Sequence, residues 1–234
     1  MPRQFIESVV SLRFHGLILA TLLVVAGCNP ATTRTDKNDA VAVAQKITRL
    51  MKEGVELMTQ AAISDSHDIS IPEEAFQLLP LLTEAEGKFN EAVRLSPVSS
   101  GPRSRLGACR QAIALLYQQR YLGAKEKVET YRKQGLDPPE ELTVRMIEAL
   151  EQARDWLRKS TRVLEFYVDR LMAKYPEPAI FTRLEENYFY LQDWESAENT
   201  VSRMLKTFPS MSGNLRKAAM SRVRQYRLRR LEAN

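Results

Sequence analysis

Prolines at regular intervals place the strongest constraint on how this chain folds. Pro97, Pro138, Pro176 and Pro209 lie 41, 38 and 33 residues apart. Proline ends a helix because it has no backbone N–H and its ring clashes with the preceding turn. Between these prolines Gly is scarce, and Leu, Ala, Glu, Arg and Lys, which favour helices, are common. Each interval has room for two antiparallel helices and a turn, so we predict an all-α chain of stacked hairpins.

The interval between Pro138 and Pro176 leaves two interpretations open. Residues 140–175 contain neither Gly nor Pro. This stretch therefore forms either a hairpin that turns near residues 159–160 or one long helix. Its start is better defined, because Asp137 is a suitable helix cap and is followed by two prolines and two glutamates.

Two segments share one spacing of small and bulky residues. In residues 84–97 the pattern consists of Ala85, Phe89, Ala92 and Pro97, and in residues 178–211 it consists of Ala197, Val201, Met204 and Pro209. The second segment also has a partner helix with Phe181, Leu184 and Tyr188, followed by a turn at residues 192–194. Small residues let two helices approach closely, and bulky residues four positions on fill the groove between hairpins.

This pattern resembles the tetratricopeptide repeat (TPR). It departs from the family at Glu185, where glycine is preferred, and at Met204, where alanine is preferred. The resemblance implies a TPR-like helical-hairpin solenoid over residues 41–234, with its clearest repeat at 178–211 and a half-repeat at 84–97. The units between residues 101 and 176 fit by length and helicity only. A generic helical bundle is the alternative.

The N-terminus has the features of an export signal. Residues 16–27 are uncharged, but this run is shorter than the roughly 20 apolar residues that a membrane-spanning helix needs. The run ends in Val-Ala-Gly and is followed by Cys28. This sequence resembles the processing site of bacterial lipoproteins. The resemblance implies that residues 1–27 are a signal peptide and that Cys28 becomes the mature N-terminus and carries acyl chains such as palmitate. Two or three acyl chains hold a protein on a membrane essentially permanently. The alternatives are an uncleaved signal anchor and a chance cluster of small residues.

Residues 28–40 are predicted to be the lipidated cysteine and a flexible, disordered tether, because residues 29–40 show no apolar periodicity. Asn29 favours the outer membrane, since aspartate at this position would resemble an inner-membrane retention signal. We therefore expect a chain that is anchored by lipid and faces the periplasm. Residues 41–62 are predicted to form an amphipathic helix, and residues 64–71 a loop.

Composition and motifs argue against several classes of function. Without residues 1–27 the chain has 32 basic and 28 acidic side chains, which is not the balance of a nucleic-acid-binding protein. His67 stands alone in a predicted loop and lacks the companions that a zinc site needs. Cys109 is expected to be a buried packing residue. No phosphate-binding loop, nucleophile elbow or paired-histidine motif is present. We expect no catalysis, cofactor, metal or small-molecule substrate.

Aromatic residues are concentrated in the predicted hairpin 178–211. Of these, Phe189 and Tyr190 do not fit packing positions, and they either line a groove or meet the next helix. In the TPR family the first helix of each repeat lines a concave surface, which often receives an extended peptide or a helix of a partner. The resemblance therefore implies that the candidate protein-binding residues are Arg183, Asn187 and Tyr190.

The last predicted helix, residues 214–231, has the strongest charge bias of the chain. One interpretation is a capping helix that covers the last hydrophobic face of the solenoid. The other is a basic surface for anionic lipid, lipopolysaccharide or an acidic partner. The candidate residues for such contacts are Arg222, Arg224, Arg227, Arg229 and Arg230.

The sequence thus predicts a membrane-anchored scaffold for protein–protein interaction or complex assembly in the cell envelope, with one or more envelope proteins as partners. It broadly resembles TPR lipoproteins that serve outer-membrane protein insertion or pilus secretin assembly, but it has no residue signature of either. The alternative is an envelope protein that binds glycan or anionic lipid through aromatic and basic surfaces.

Overall fold

The computed structural model describes residues 34–65 and 76–232. Within these residues the regular elements are all helical, which confirms the predicted all-α class. They are α1 (Arg34–Asp65), a 3-10 turn (Phe76–Leu78) leading into α2 (Leu79–Leu95), α3 (Ser100–Lys133), α4 (Glu140–Phe166) with a π-helical turn (Tyr167–Leu171), α5 (Pro178–Leu191), α6 (Trp194–Thr207) and α7 (Gly213–Glu232). The predicted lipidation site Cys28, Asn29 and His67 lie outside the described residues.

Helix α1 begins at Arg34 rather than near the predicted start at residue 41. Residues 34–40, predicted as part of the tether, are helical in the structure. The segment 31–40 contains neither Gly nor Pro. No residue in it therefore prevents the helix predicted at residues 41–62 from extending toward the N-terminus.

All four proline breaks occur where the sequence predicts them, but two of the intervals hold one helix each. Helix α3 has 34 residues and fills most of the interval between Pro97 and Pro138. Helix α4 runs through residues 159–160 without a turn, so the second interpretation of this stretch, one long helix, is correct. Residues 101–176 therefore form a single antiparallel hairpin of two long helices. The prediction of a hairpin in each interval is confirmed only after Pro176.

The α3–α4 hairpin is held together at a crossing where Gly107 faces α4. A Cβ atom at this position would lie 2.9 Å from Cγ of Leu164, so a larger residue cannot be accommodated without movement. The Ser160 hydroxyl donates a hydrogen bond to the Gly107 carbonyl at 2.8 Å, and both groups are buried. The absence of a side chain thus lets the two backbones approach closely enough for this bond.

Two hydrophobic clusters lie beside this crossing. The first joins α1, α2 and α3 around Phe89, which packs against the backbone of Gly54. The second joins the end of α4 to α5, α6 and α7. The packing positions inferred from the repeated pattern are all buried: Ala85, Phe89, Ala92, Phe181, Leu184, Tyr188, Ala197, Val201 and Met204. Cys109 is also buried, as predicted, and its thiol donates to the Leu82 carbonyl.

We expect Gly107→Ala to lower the free energy of unfolding by about 1–3 kcal/mol, because the added methyl group overlaps Leu164. Gly87→Ala is the matched control. Gly87 lies inside α2 with no atom near its missing Cβ, so alanine there is expected to add about 0.5–1 kcal/mol through helix propensity. Urea denaturation measures both. Equal effects of the two substitutions would contradict the close crossing.

Candidate functional site

Helix α5 carries the three residues predicted to bind a protein partner. Arg183, Asn187 and Tyr190 follow one another at spacings of four and three, so they lie along one side of the helix. Arg183 and Tyr190 are half-buried, whereas Asn187 has no exposed surface. Only the first and the last are therefore accessible to a partner.

Asn187 has a structural role instead. Its amide nitrogen donates to the Ser160 hydroxyl at 2.9 Å, and that hydroxyl in turn donates to the Gly107 carbonyl. The chain of hydrogen bonds joins α5 to α4 and α3. Assignment of Asn187 to a partner-facing surface is corrected on this ground, because a side chain at the centre of three helices cannot reach a bound peptide.

A group of polar residues lines the contact between α3 and α5, and we call it the α3–α5 cluster. It consists of Arg105 and Gln111 on α3 and Arg183, Glu186 and Tyr190 on α5. The side-chain amide of Gln111 donates to the backbone carbonyl of Arg183 and to Oε2 of Glu186, both at 3.3 Å. Gln111 is buried, and the other four residues keep part of their surface exposed. These four provide charged and hydrogen-bonding groups that a partner can reach.

Glu177, just before α5, borders the cluster and is firmly held. Its carboxylate accepts hydrogen bonds from Ser104 at 3.1 Å and from the buried Tyr167 hydroxyl at 3.2 Å. Tyr167 begins the π-helical turn that ends α4. Such turns are frequent at functional sites, because they displace side chains from the regular helical register.

Burial changes the electrostatics of the cluster. Desolvation lowers the pKa of Arg183 and of Arg105, and the neighbouring charge of Arg183 lowers the pKa of Arg105 further. Both guanidinium groups remain charged at neutral pH. Because they have already lost part of their hydration, they lose less on meeting an acceptor from a partner than a fully solvated arginine would.

Glu186 is the acidic member of the cluster, and burial raises its pKa to about 7. The Glu185 charge acts in the same direction, while the hydrogen bond from Gln111 and the charges of Arg183 and Arg222 oppose it. The sequence predicted Arg183 and Tyr190 as site residues but not the other members of the cluster. Arg105, Gln111 and Glu186 were not singled out at all, because their proximity depends on contacts between helices more than 70 residues apart.

Helix α7 is held on the preceding hairpin by two buried carboxylates. Glu185 lies 2.6 Å from Nε of Arg222 and accepts a hydrogen bond of 2.8 Å from the Tyr226 hydroxyl. Glu198 lies 2.7 Å from Nη2 of Arg227 and 3.6 Å from Nη1 of Arg230. Three of the five arginines predicted as candidates for anionic contacts, Arg222, Arg227 and Arg230, therefore help to keep α7 in place.

The remaining two candidate arginines of α7 differ from each other. Arg229 lies over the aromatic rings of Trp194 and Phe189, at 4.9 and 5.3 Å from their centroids. Arg224 is exposed, and its side chain makes no hydrogen bond, ion pair or ring contact within the described part of the structure. Of the five arginines, four are thus engaged by the α5–α6 hairpin and one projects outward.

The described residues contain no group of three or more His, Cys, Asp or Glu side chains that could hold a metal ion. None of the described helices is long and apolar enough to cross a membrane. Two surface depressions of about 350 Å³ each lie outside the α3–α5 cluster, one lined by residues of α4, α5 and the α5–α6 turn and the other by residues of α3 and α4.

Comparison with models of known protein families gave no match, and comparison with curated proteins gave no significant similarity.

We expect Glu186→Gln to change how stability depends on pH. The folded-state pKa of about 7 lies above the ordinary value of 4.5, so the folded chain binds the proton more tightly than the unfolded chain. The stabilisation contributed by this proton is full below pH 4.5 and is lost as the pH rises to about 7. The variant should therefore lose less stability than wild type across this window, and it should be the more stable of the two at pH 8.

Urea denaturation at pH 5 and pH 8 tests this expectation. Glu151→Gln, which removes an exposed carboxylate from α4, is the control and should follow the wild-type curve. A Glu186→Gln variant with the pH dependence of wild type would show that Glu186 does not hold a proton in this range.

We expect Tyr226→Phe to loosen α7. The substitution removes the hydroxyl that donates to buried Glu185, and hydrogen bonds to charged groups are worth about 1.5–3 kcal/mol. Hydrogen exchange over residues 213–232 should therefore become faster. Tyr131→Phe on α3 is the control, because no hydrogen bond of its hydroxyl is present among the described residues. Unchanged exchange in α7 would contradict a role for Tyr226 in docking.

Proposed function

We propose that this protein is a non-catalytic, membrane-anchored helical scaffold that binds other proteins of the bacterial cell envelope through the α3–α5 cluster. The observation that carries the proposal is that Arg105, Arg183 and Glu186 are partly desolvated where α3 contacts α5. Groups of this kind, held in place but still accessible, contribute strongly to recognition when a partner supplies the opposite hydrogen bonds.

The TPR-like interpretation of helices α5 and α6 supports this proposal. Both helices have 14 residues and are joined by a short turn at Gln192 and Asp193. Their small and bulky residues are buried at the positions where the repeat pattern needs them. In a TPR-like arrangement α5 is the first helix of its repeat, which is the helix that faces a bound peptide. On this proposal α7 is the capping helix.

Anchoring is proposed from the sequence of the N-terminus alone. Acylation of Cys28 would hold the chain at the periplasmic face of a membrane, and Asn29 favours the outer membrane. A scaffold fixed to a membrane surface meets its partners in a restricted volume, and the higher effective concentration makes weak individual contacts sufficient for assembly.

A second candidate function is binding of envelope glycan through aromatic side chains. It is favoured by the ring of Phe189, which is 36% exposed beside Trp194 and Arg229. This surface already packs against Tyr226 of α7, so we rank it second.

The scaffold function predicts a defined set of cross-linked envelope proteins in cells that express the full chain. Arg183→Gln should reduce these cross-links about tenfold or more, because a lost interfacial hydrogen bond of an arginine costs at least about 1.4 kcal/mol of binding. Arg132→Gln, which alters an exposed arginine near the end of α3, is the matched control and should leave the cross-links unchanged. Quantitative mass spectrometry of the cross-linked products gives the measurement.

Cys28→Ser tests the anchoring part separately. This variant should lose the same cross-links and leave the membrane fraction. Cross-links to wall glycan and not to protein would favour the second candidate. Equal cross-linking by Arg183→Gln and wild type would contradict binding through the α3–α5 cluster.

A further inference from the structure

Helix α7 has two different faces, and the docking contacts described above use only one of them. The inner face carries residues at spacings of four, three and four: Ala219, Val223, Tyr226 and Arg230. The outer face carries a second stripe at spacings of three, four, four and three: Lys217, Met220, Arg224, Leu228 and Leu231. At 100° per residue this second stripe spans an arc of about 80°, so its side chains project in nearly the same direction.

The outer stripe is unusual for a helix that only caps a core. A capping element normally presents polar residues to solvent. Here Met220, Leu228 and Leu231 are 47%, 60% and 66% exposed, and they belong to one continuous stripe. Since each exposed apolar side chain has an unfavourable hydration free energy, a stripe of three indicates a surface that is covered in the functioning protein.

The charges of this face limit what can cover it. Lys217 and Arg224 lie within the stripe, and both are exposed. The single acidic residue of α7 is Glu232, at its last position. A second copy of the chain would bring like charges together, which disfavours self-association through this face.

We propose that the outer stripe of α7 lies on an anionic lipid surface. A helix that alternates basic and large aliphatic residues along one face inserts the aliphatic groups between lipid headgroups, while the basic groups contact phosphate. The stripe is convex and belongs to one helix, so it fits a flat surface better than it would enclose a peptide. This inference goes beyond the proposed scaffold function and does not depend on it, because it involves neither Cys28 nor the α3–α5 cluster.

A fluorescent probe on α7 tests the proposal. The full chain with Cys28→Ser and Leu228→Cys is labelled with an environment-sensitive nitrobenzoxadiazole probe, since the thiol of Cys109 is buried. The same chain with Val98→Cys is the control, because Val98 is 70% exposed in the turn between α2 and α3. Vesicles contain phosphatidylcholine either alone or with 30% phosphatidylglycerol.

We expect the probe at residue 228, but not at residue 98, to shift to the blue and to brighten at least twofold with the anionic vesicles. The response should fall in 1 M NaCl, where the Debye length is about 3 Å. Adding Lys217→Gln and Arg224→Gln should weaken the vesicle affinity about tenfold or more. These two residues face outward, so the thermal unfolding curve should stay unchanged.

Two outcomes would overturn the proposal. Equal responses at residues 228 and 98 would mean that another part of the chain, such as the apolar run at residues 16–27, brings the whole protein to the vesicle. No response at residue 228, together with a response to added envelope proteins, would mean that an acidic protein covers the stripe. Met220→Cys in place of Leu228→Cys repeats the test about two turns away and should give the same response as residue 228.

Discussion

The close crossing of α3 and α4 at Gly107 is the contact on which the other helices depend. Its carbonyl accepts from Ser160 of α4, and Ser160 accepts from Asn187 of α5. Three helices are thus joined at one buried point by groups that would be costly to leave without partners. Because this point fixes α5 relative to α3, it also brings Arg183 and Glu186 next to Gln111, which creates the α3–α5 cluster.

Buried carboxylates extend the same principle to α7. Glu185 and Glu198 are taken out of water on the α5–α6 hairpin, and each is matched by an arginine of α7. Removing one partner of such a pair leaves an uncompensated charge, so a misplaced α7 would be strongly disfavoured. The main effect of these pairs is therefore to specify one position of α7, and their net contribution to the free energy of unfolding is smaller. They also leave its opposite face free of docking contacts.

Local sequence predicted the helices well but did not predict how they meet. Proline breaks and the pattern of small and bulky residues could be found in the sequence, because each depends only on residues a few positions apart. Phe89 and Ala197, which belong to that pattern, are buried as predicted. A run without Gly or Pro cannot show whether a helix turns, which is why residues 140–175 were predicted as either one long helix or a hairpin. Asn187 was misassigned because its hydrogen-bond partner, Ser160, lies on another helix. The sequence of one helix does not show whether a polar side chain faces the core or solvent.

The central claim is that partners bind at the α3–α5 cluster, and site-specific photo-cross-linking in cells tests it most directly. A photoreactive phenylalanine would replace Tyr190 in the cluster in one strain and Tyr131, far along α3, in another. The account predicts that position 190 captures a discrete envelope protein and that position 131 does not. Capture of the same protein from both positions, or from position 131 alone, would contradict it.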